Sequence, residues 1–534
     1  MAHVNRISTD AARVTTASIE AAIERQAPTV SAPKKSGGGP RKISTSTTPL
    51  DIPDLAKKLL RVRGLALSGG GAKGSFQVGA LRFLYEEKKI RPKVIVGTSV
   101  GAVNGVKLAE GEDSSSATDG HVAGFAGLLD QWLNIESEAD MFIERKVFKQ
   151  VKGIAANAET IAENLKDSMI ATWVGVAFGI PPVAIGGAGG LTVGLSDLAD
   201  LVKLIEQFLY CDGFVTLSPV IDKLKNPQLL DRELVENSGI HFRAVWVGML
   251  SGKLYGTSGR RNLVELNAPK DKIGTVNSLL TSVHASAAQP LFMQSPIVEG
   301  EIGDVPFAEK GFDGGVREIV GIRCALDLGA NEVFAILCSP LDPGLETIFE
   351  QKTTEDIKVG SVVLMPKGTP FFAARQKRYK SLLALAERGL GLALDGVLDG
   401  DLAAAPGDAI VHVIRPYVDV HDGFTLKPSL IRVNMDHGWM CAFDVFHEDA
   451  KNKVSLLAGT NRLITEYRAK KSQAKLAIKA MEKLRPVLGK FVDQIQDVFE
   501  QQISTCKARI ASGIALRASF GNDTMPAGFE TWAD

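Results

Sequence analysis

The chain has 534 residues, 45% of them hydrophobic and 23% charged, and its 61 Lys and Arg balance its 61 Asp and Glu. That composition supports a sizeable core and more than one domain, while zero net charge supplies no global field to recruit nucleic acid. Five scattered cysteines without C-x-x-C spacing argue against a disulfide framework or a zinc knuckle and fit a reducing compartment.

Residues 1–56 are rich in Ser, Thr, Ala, Lys and Pro, too poor in apolar surface to offset the entropy of ordering, and are expected to be disordered. Met1–Arg13 is polar, so no cleavable signal peptide is read there, and the expected location is cytoplasmic or peripheral to a membrane. Export as an effector is an idea resting on the composition of this segment alone.

A strand at Leu65–Leu67 leads into the glycine cluster Gly69-Gly70-Gly71-Ala72-Lys73-Gly74, followed by a helix over Ser75–Glu87 and a strand at Val94–Val96. This alternation predicts βαβ units and a parallel sheet, with further strands at Phe242–Met249, Leu263–Asn267, Val333–Cys338 and Ile410–Ile414. An insertion at about 112–236 contains the uncharged stretch 169–196, interrupted by Pro181-Pro182 and seven glycines. Those breakers disfavour one membrane helix, and the stretch is expected to be a lid or a segment that dips into lipid. From about 448 the pattern turns helical to about Ser519, broken at Pro486. Between Arg462 and Arg485 it carries eight basic residues against two acidic, suiting either anionic headgroups or packing back on the core.

Gly97-Thr98-Ser99-Val100-Gly101 lies between an apolar strand and Ala102–Val106, the strand–turn–helix context that presents a serine nucleophile. The earlier glycine cluster offers backbone N–H groups to an oxyanion at a helix N-terminus. Gly69-x-Gly71-x-x-Gly74 also satisfies a dinucleotide fingerprint, but no acidic residue stands at the end of the second strand to hold a ribose. Asp313, before Gly314-Gly315, is the best candidate base, with a structural helix cap as the bland alternative. A His-dependent triad would draw on His412, His421, His437 or His447.

Taken in order with Ala285-Ser286-Ala287-Ala288-Gln289-Pro290-Leu291-Phe292, these motifs resemble those of the patatin-like phospholipases over residues 62–447. The resemblance implies a three-layer α/β/α fold with a mostly parallel central sheet. It makes 57–447 the hydrolase domain, with 448–534 a C-terminal helical region. By the same resemblance Ser99 is the nucleophile, Asp313 the general base, and Gly70, Gly71 and Ala72 the oxyanion donors. Gly69, Lys73, Gly74, Gly97, Gly101, Gly314 and Gly315 support the motifs, and Lys73 stands where the family usually has Arg. The implied substrate is a phospholipid or lysophospholipid, met through transient peripheral membrane contact, with no metal or cofactor and an activator left open. A catalytically silent lipid-binding scaffold and a His-dependent carboxylesterase remain as alternatives.

Overall fold

The computed structural model describes residues 4–5, 61–111, 123–145, 213–266, 272–290, 292–340, 357–359, 362–365, 409–447 and 451–534. Nearly all of the segment 1–56, the stretch 169–196 and much of the insertion 112–236 lie outside the described residues.

Eleven strands make one sheet: β1 (Val4–Asn5), β2 (Arg63–Leu67), β3 (Val94–Thr98), β4 (His241–Gly248), β5 (Leu254–Ser258), β6 (Asn262–Glu265), β7 (Lys272–Val276), β8 (Ile297–Ile302), β9 (Val305–Asp313), β10 (Glu332–Ile336) and β11 (Ile410–Ile414). Strands β1, β11, β10, β2, β3 and β4 follow one another in parallel. Their apolar runs are buried on both faces, as parallel strands covered by helices require. Leu65, Leu67 and Ile95 face one core layer, whereas Ala66, Val94 and Val96 face another.

The first layer is closed by α1 (Gly74–Arg82), α2 (Val100–Leu108), α3 (Ala123–Leu133) and α6 (Pro428–Val445). α4 (Leu279–Ala287) packs beside α2 and β4, and α5 (Ile322–Asp327) covers the opposite face. Gly79 and Gly438 let α1 and α6 meet backbone to backbone: a Cβ on Gly79 would stand 1.7 Å from the Met435 carbonyl oxygen.

The expectation of a mostly parallel sheet is corrected by the other half. From β4 to β9 every pairing is antiparallel, and β5 returns to β4, so six strands close into a ring. The reason is turn chemistry. Gly252 (φ 63), Arg261 (φ 63) and Gly303 (φ 61) sit in short turns that reverse the chain between β4 and β5, β5 and β6, and β8 and β9, leaving no room for crossover helices there.

The C-terminal region is helical, as expected: α7 (Lys451–Leu488) and α8 (Lys490–Ala518) meet at Gly489 (φ 52). Pro486 lies in the last turn of α7 and does not break its body. Within the basic stretch, Arg462 pairs with Glu466 at 3.0 Å and Arg468 with Asp436 at 2.7 Å, all but Asp436 largely buried. Arg485 pairs with Glu482 and Asp493 on the surface. Those three arginines are thus engaged within the protein. Among the described residues no helix is long and apolar enough to cross a membrane.

Candidate active site

Strand β4 brings the site together. One of its edges is shared: β3 pairs with it from Val94↔His241 up to Thr98↔Val245, and β9 takes over at Asp313↔Trp246. The parallel strand carrying the serine and the antiparallel strand carrying the carboxylate therefore abut end to end. Ser99 and Asp313, 214 residues apart in sequence (313 − 99), arrive at neighbouring positions along β4.

Ser99 sits between β3 and α2 with φ 57 and ψ −128, a sharp turn that an L residue adopts only under constraint. Two glycines make the turn possible. A Cβ on Gly97 would lie 2.3 Å from the Gly101 oxygen, and one on Gly101 would lie 2.2 Å from the Leu67 oxygen. Ser286 on α4 holds the turn from the other side: its Oγ accepts the Ser99 N–H at 2.9 Å and donates to the Val245 carbonyl at 2.5 Å. The sequence offered Ser286 as part of a motif without a role; this bond supplies one. The Ser99 carbonyl accepts the N–H groups of Ala102 and Val103, starting α2.

Asp313 ends β9 and is buried. Its Oδ1 accepts the Gly315 N–H at 2.8 Å, while its own N–H donates to the Ala288 carbonyl at 3.0 Å. The capping role considered for it is thus realised alongside its place beside Ser99. A Cβ on Gly314 would meet the Val245 oxygen at 2.4 Å, so only glycine lets this turn lie on β4. Burial pushes the Asp313 carboxyl up to about 6, opposed by the Ser99 hydroxyl and the Gly315 amide, which stabilise its charged form.

The glycine loop approaches from β2. Gly69 lies against Ser99, a Cβ there falling 3.1 Å from the Ser99 Cβ. Gly74 admits Val100 and Trp132 beside it. The N–H groups of Gly70 and Gly71 have no acceptor among the described residues and stand at the start of the 3-10 turn Gly71–Lys73 that leads into α1. Ala72 is different: its N–H donates to the Gly423 carbonyl at 2.7 Å. The expectation of three free donors is corrected to two, because a carbonyl from outside the motif already holds the third. Lys73 forms an ion pair with Asp419, Nζ to Oδ1 2.7 Å, so a single ammonium makes the contact without a guanidinium fork.

None of the four candidate histidines hydrogen-bonds Ser99 or Asp313 among the described residues. His412 stacks on Phe334 and meets Glu332; His437 is buried against α7; His421 lies near Lys73 and bonds the Asp422 carbonyl; His447 stacks on Phe443. No cluster that could hold a metal ion occurs among the described residues.

The family model described as patatin-like phospholipase matches residues 65–326. The chain contains a patatin-like phospholipase domain. Lipid acyl hydrolysis is the general activity that this family carries. No curated protein matches the chain. Among solved structures it is similar to VipD from Legionella pneumophila, at 16% identity over 88% of this chain and 90% of that one, with a TM-score of 0.25. The family match begins within β2 and ends in α5, so it spans the glycine loop, the serine turn, Ser286 and Asp313. Asp419 and Gly423, which touch the glycine loop, lie beyond it.

Proposed function

We propose that this patatin-like chain is a lipid acyl hydrolase of the phospholipase A or lysophospholipase type, working through a Ser99–Asp313 dyad. One observation carries the reading: a buried carboxyl, its pKa raised, stands beside a serine held in a strained turn. In the reaction Asp313 takes the hydroxyl proton as Ser99 Oγ attacks the ester carbonyl. The oxyanion is met by the amides of Gly70 and Gly71. Collapse of the intermediate expels the alcohol or lysolipid, which takes the proton back from Asp313. Water, activated by the same carboxylate, then releases the fatty acid and restores Ser99. A substrate lying in a bilayer requires transient contact with a lipid surface.

The test is fatty-acid release from mixed phospholipid vesicles by the parent and by Ser99→Ala, with fluorophosphonate labelling in parallel. Release and labelling by the parent alone support the dyad. An unlabelled, inactive parent refutes it and favours a silent lipid-binding scaffold. Loss of activity on replacing His421 alone, with the fold intact, would favour the His-dependent esterase.

A further inference from the structure

The glycine loop must hold two N–H groups still while charge develops on the substrate, yet it is built from residues with the greatest backbone freedom. The segment between β11 and α6 meets it at consecutive residues. The Gly423 carbonyl accepts the Ala72 N–H at 2.7 Å, and the Asp419 carboxylate pairs with Lys73 at 2.7 Å. Gly71 (φ 55) lies so close that a Cβ there would stand 2.5 Å from the Gly423 oxygen. From α6, Asn434 Nδ2 donates to Ser75 Oγ at 2.9 Å and to the Lys73 carbonyl at 3.3 Å.

This segment is itself anchored. Asp422 Oδ1 accepts the N–H groups of Phe424 and Thr425, closing a local turn. At its other end the Tyr417 N–H donates to His437 Nε2 at 3.0 Å, which puts the imidazole proton on Nδ1, 2.8 Å from Asn461 Oδ1 on α7. Asn461 Nδ2 donates to Asp444 at 3.2 Å, and Asp444 pairs with Arg517 of α8 at 2.6 Å, both side chains wholly buried. Polar contacts from both C-terminal helices therefore reach Tyr417, and the backbone of 417–423 carries the connection on to Asp419 and Gly423 at the glycine loop.

We propose that Tyr417–Gly423 is a brace for the oxyanion loop, hung from the C-terminal helices through His437, with Asp419 as its positioning residue. The proposal rests on the hydrolase reading above. It assigns the C-terminal helices a part in the reaction: keeping the Gly70 and Gly71 amides in place.

The test compares the full-length parent with Asp419→Ala and Asp419→Glu on a short-chain, water-soluble nitrophenyl ester, with melting temperature and amide hydrogen exchange of residues 69–74 measured alongside. For Asp419→Ala the expected result is a fall in kcat of about tenfold, from a loosened donor loop, with KM within about twofold. Exchange in 69–74 should quicken without loss of global stability, and Asp419→Glu should recover most of the rate. An increase in KM alone would overturn the proposal, since the ion pair would then be binding substrate. So would unchanged exchange, or a fall in activity that merely follows a fall in melting temperature. Lys73→Gln breaks the same contact from the other side and repeats the test if Asp419→Ala does not fold. A parent without esterase activity, in which Asp419→Ala still quickens exchange in 69–74, would sink the hydrolase reading and support the brace.

Discussion

On the proposed dyad mechanism, with Asp313 as base, acid should switch activity off through a single proton. Burial raises the Asp313 carboxyl from its ordinary 3.8 to about 6, and the base is useful only when ionised. The ionised fraction is about one half at pH 6 and roughly one tenth at pH 5, so kcat/KM should fall about tenfold per pH unit below 6. The assay is the pH dependence of kcat/KM on a soluble ester whose leaving group does not titrate in that range. A rate that stays flat down to about pH 4.5 would refute the reasoning, because the base would then be a carboxylate of ordinary acidity or another group. The same shift has a stability counterpart of fixed sign. Folding raises this pKa, so the contribution is fully present below 3.8 and is lost as pH rises through about 6. Two units correspond to about 3 kcal/mol of destabilisation by the ionised group at pH 8. Asp313→Asn should accordingly be inactive yet more resistant to denaturant than the parent at pH 8, with the gap closing toward pH 4.

Ser286→Ala should leave the Ser99 N–H and the Val245 carbonyl without their shared partner, costing about 1–3 kcal/mol of stability and lowering kcat more than KM. Denaturant melts and steady-state kinetics check this, and an unaffected kcat would remove Ser286 from the support of the nucleophile. Gly101→Ala should abolish soluble expression or labelling, since the new methyl would lie 2.2 Å from the Leu67 oxygen; a normal yield of labelled protein would contradict it. Removing one partner of the Arg517–Asp444 pair, as in Arg517→Met, should cost about 3–5 kcal/mol by stranding a wholly buried carboxylate, read as a lowered unfolding midpoint.

The serine turn was legible because its elements are local: an apolar strand, two glycines and a helix start lie within a dozen residues. Observed strands at Arg63–Leu67, Val94–Thr98, His241–Gly248 and Ile410–Ile414 fall within a residue or two of those expected. The helix expected over Ser75–Glu87 is α-helical to Arg82 and then widens into a π turn. The ring was not legible. Its strands, such as Ile297–Ile302 with Glu299 and Glu301 alternating outward, look like ordinary surface hairpins, and nothing local tells β9 to close on β4. Ala72 was misread for a related reason, because its partner carbonyl is contributed 351 residues later (423 − 72) by a segment without a motif. Asp419 escaped notice likewise. A lone Asp in a loop announces nothing until the fold sets it beside Lys73.

If Ser99 and Asp313 form the proposed dyad, the shared edge of β4 makes that dyad late to assemble. During synthesis the serine turn and glycine loop emerge within the first 110 residues or so, about two hundred residues ahead of Asp313. Asp313 is held where three residues of β9, Gly311–Asp313, pair with the upper end of β4, whose lower end β3 occupies. On the proposed mechanism, a chain in which that pairing is missing would hold Ser99 with no proton acceptor. The proposed activity would then depend on closure of the ring as much as on either residue of the dyad.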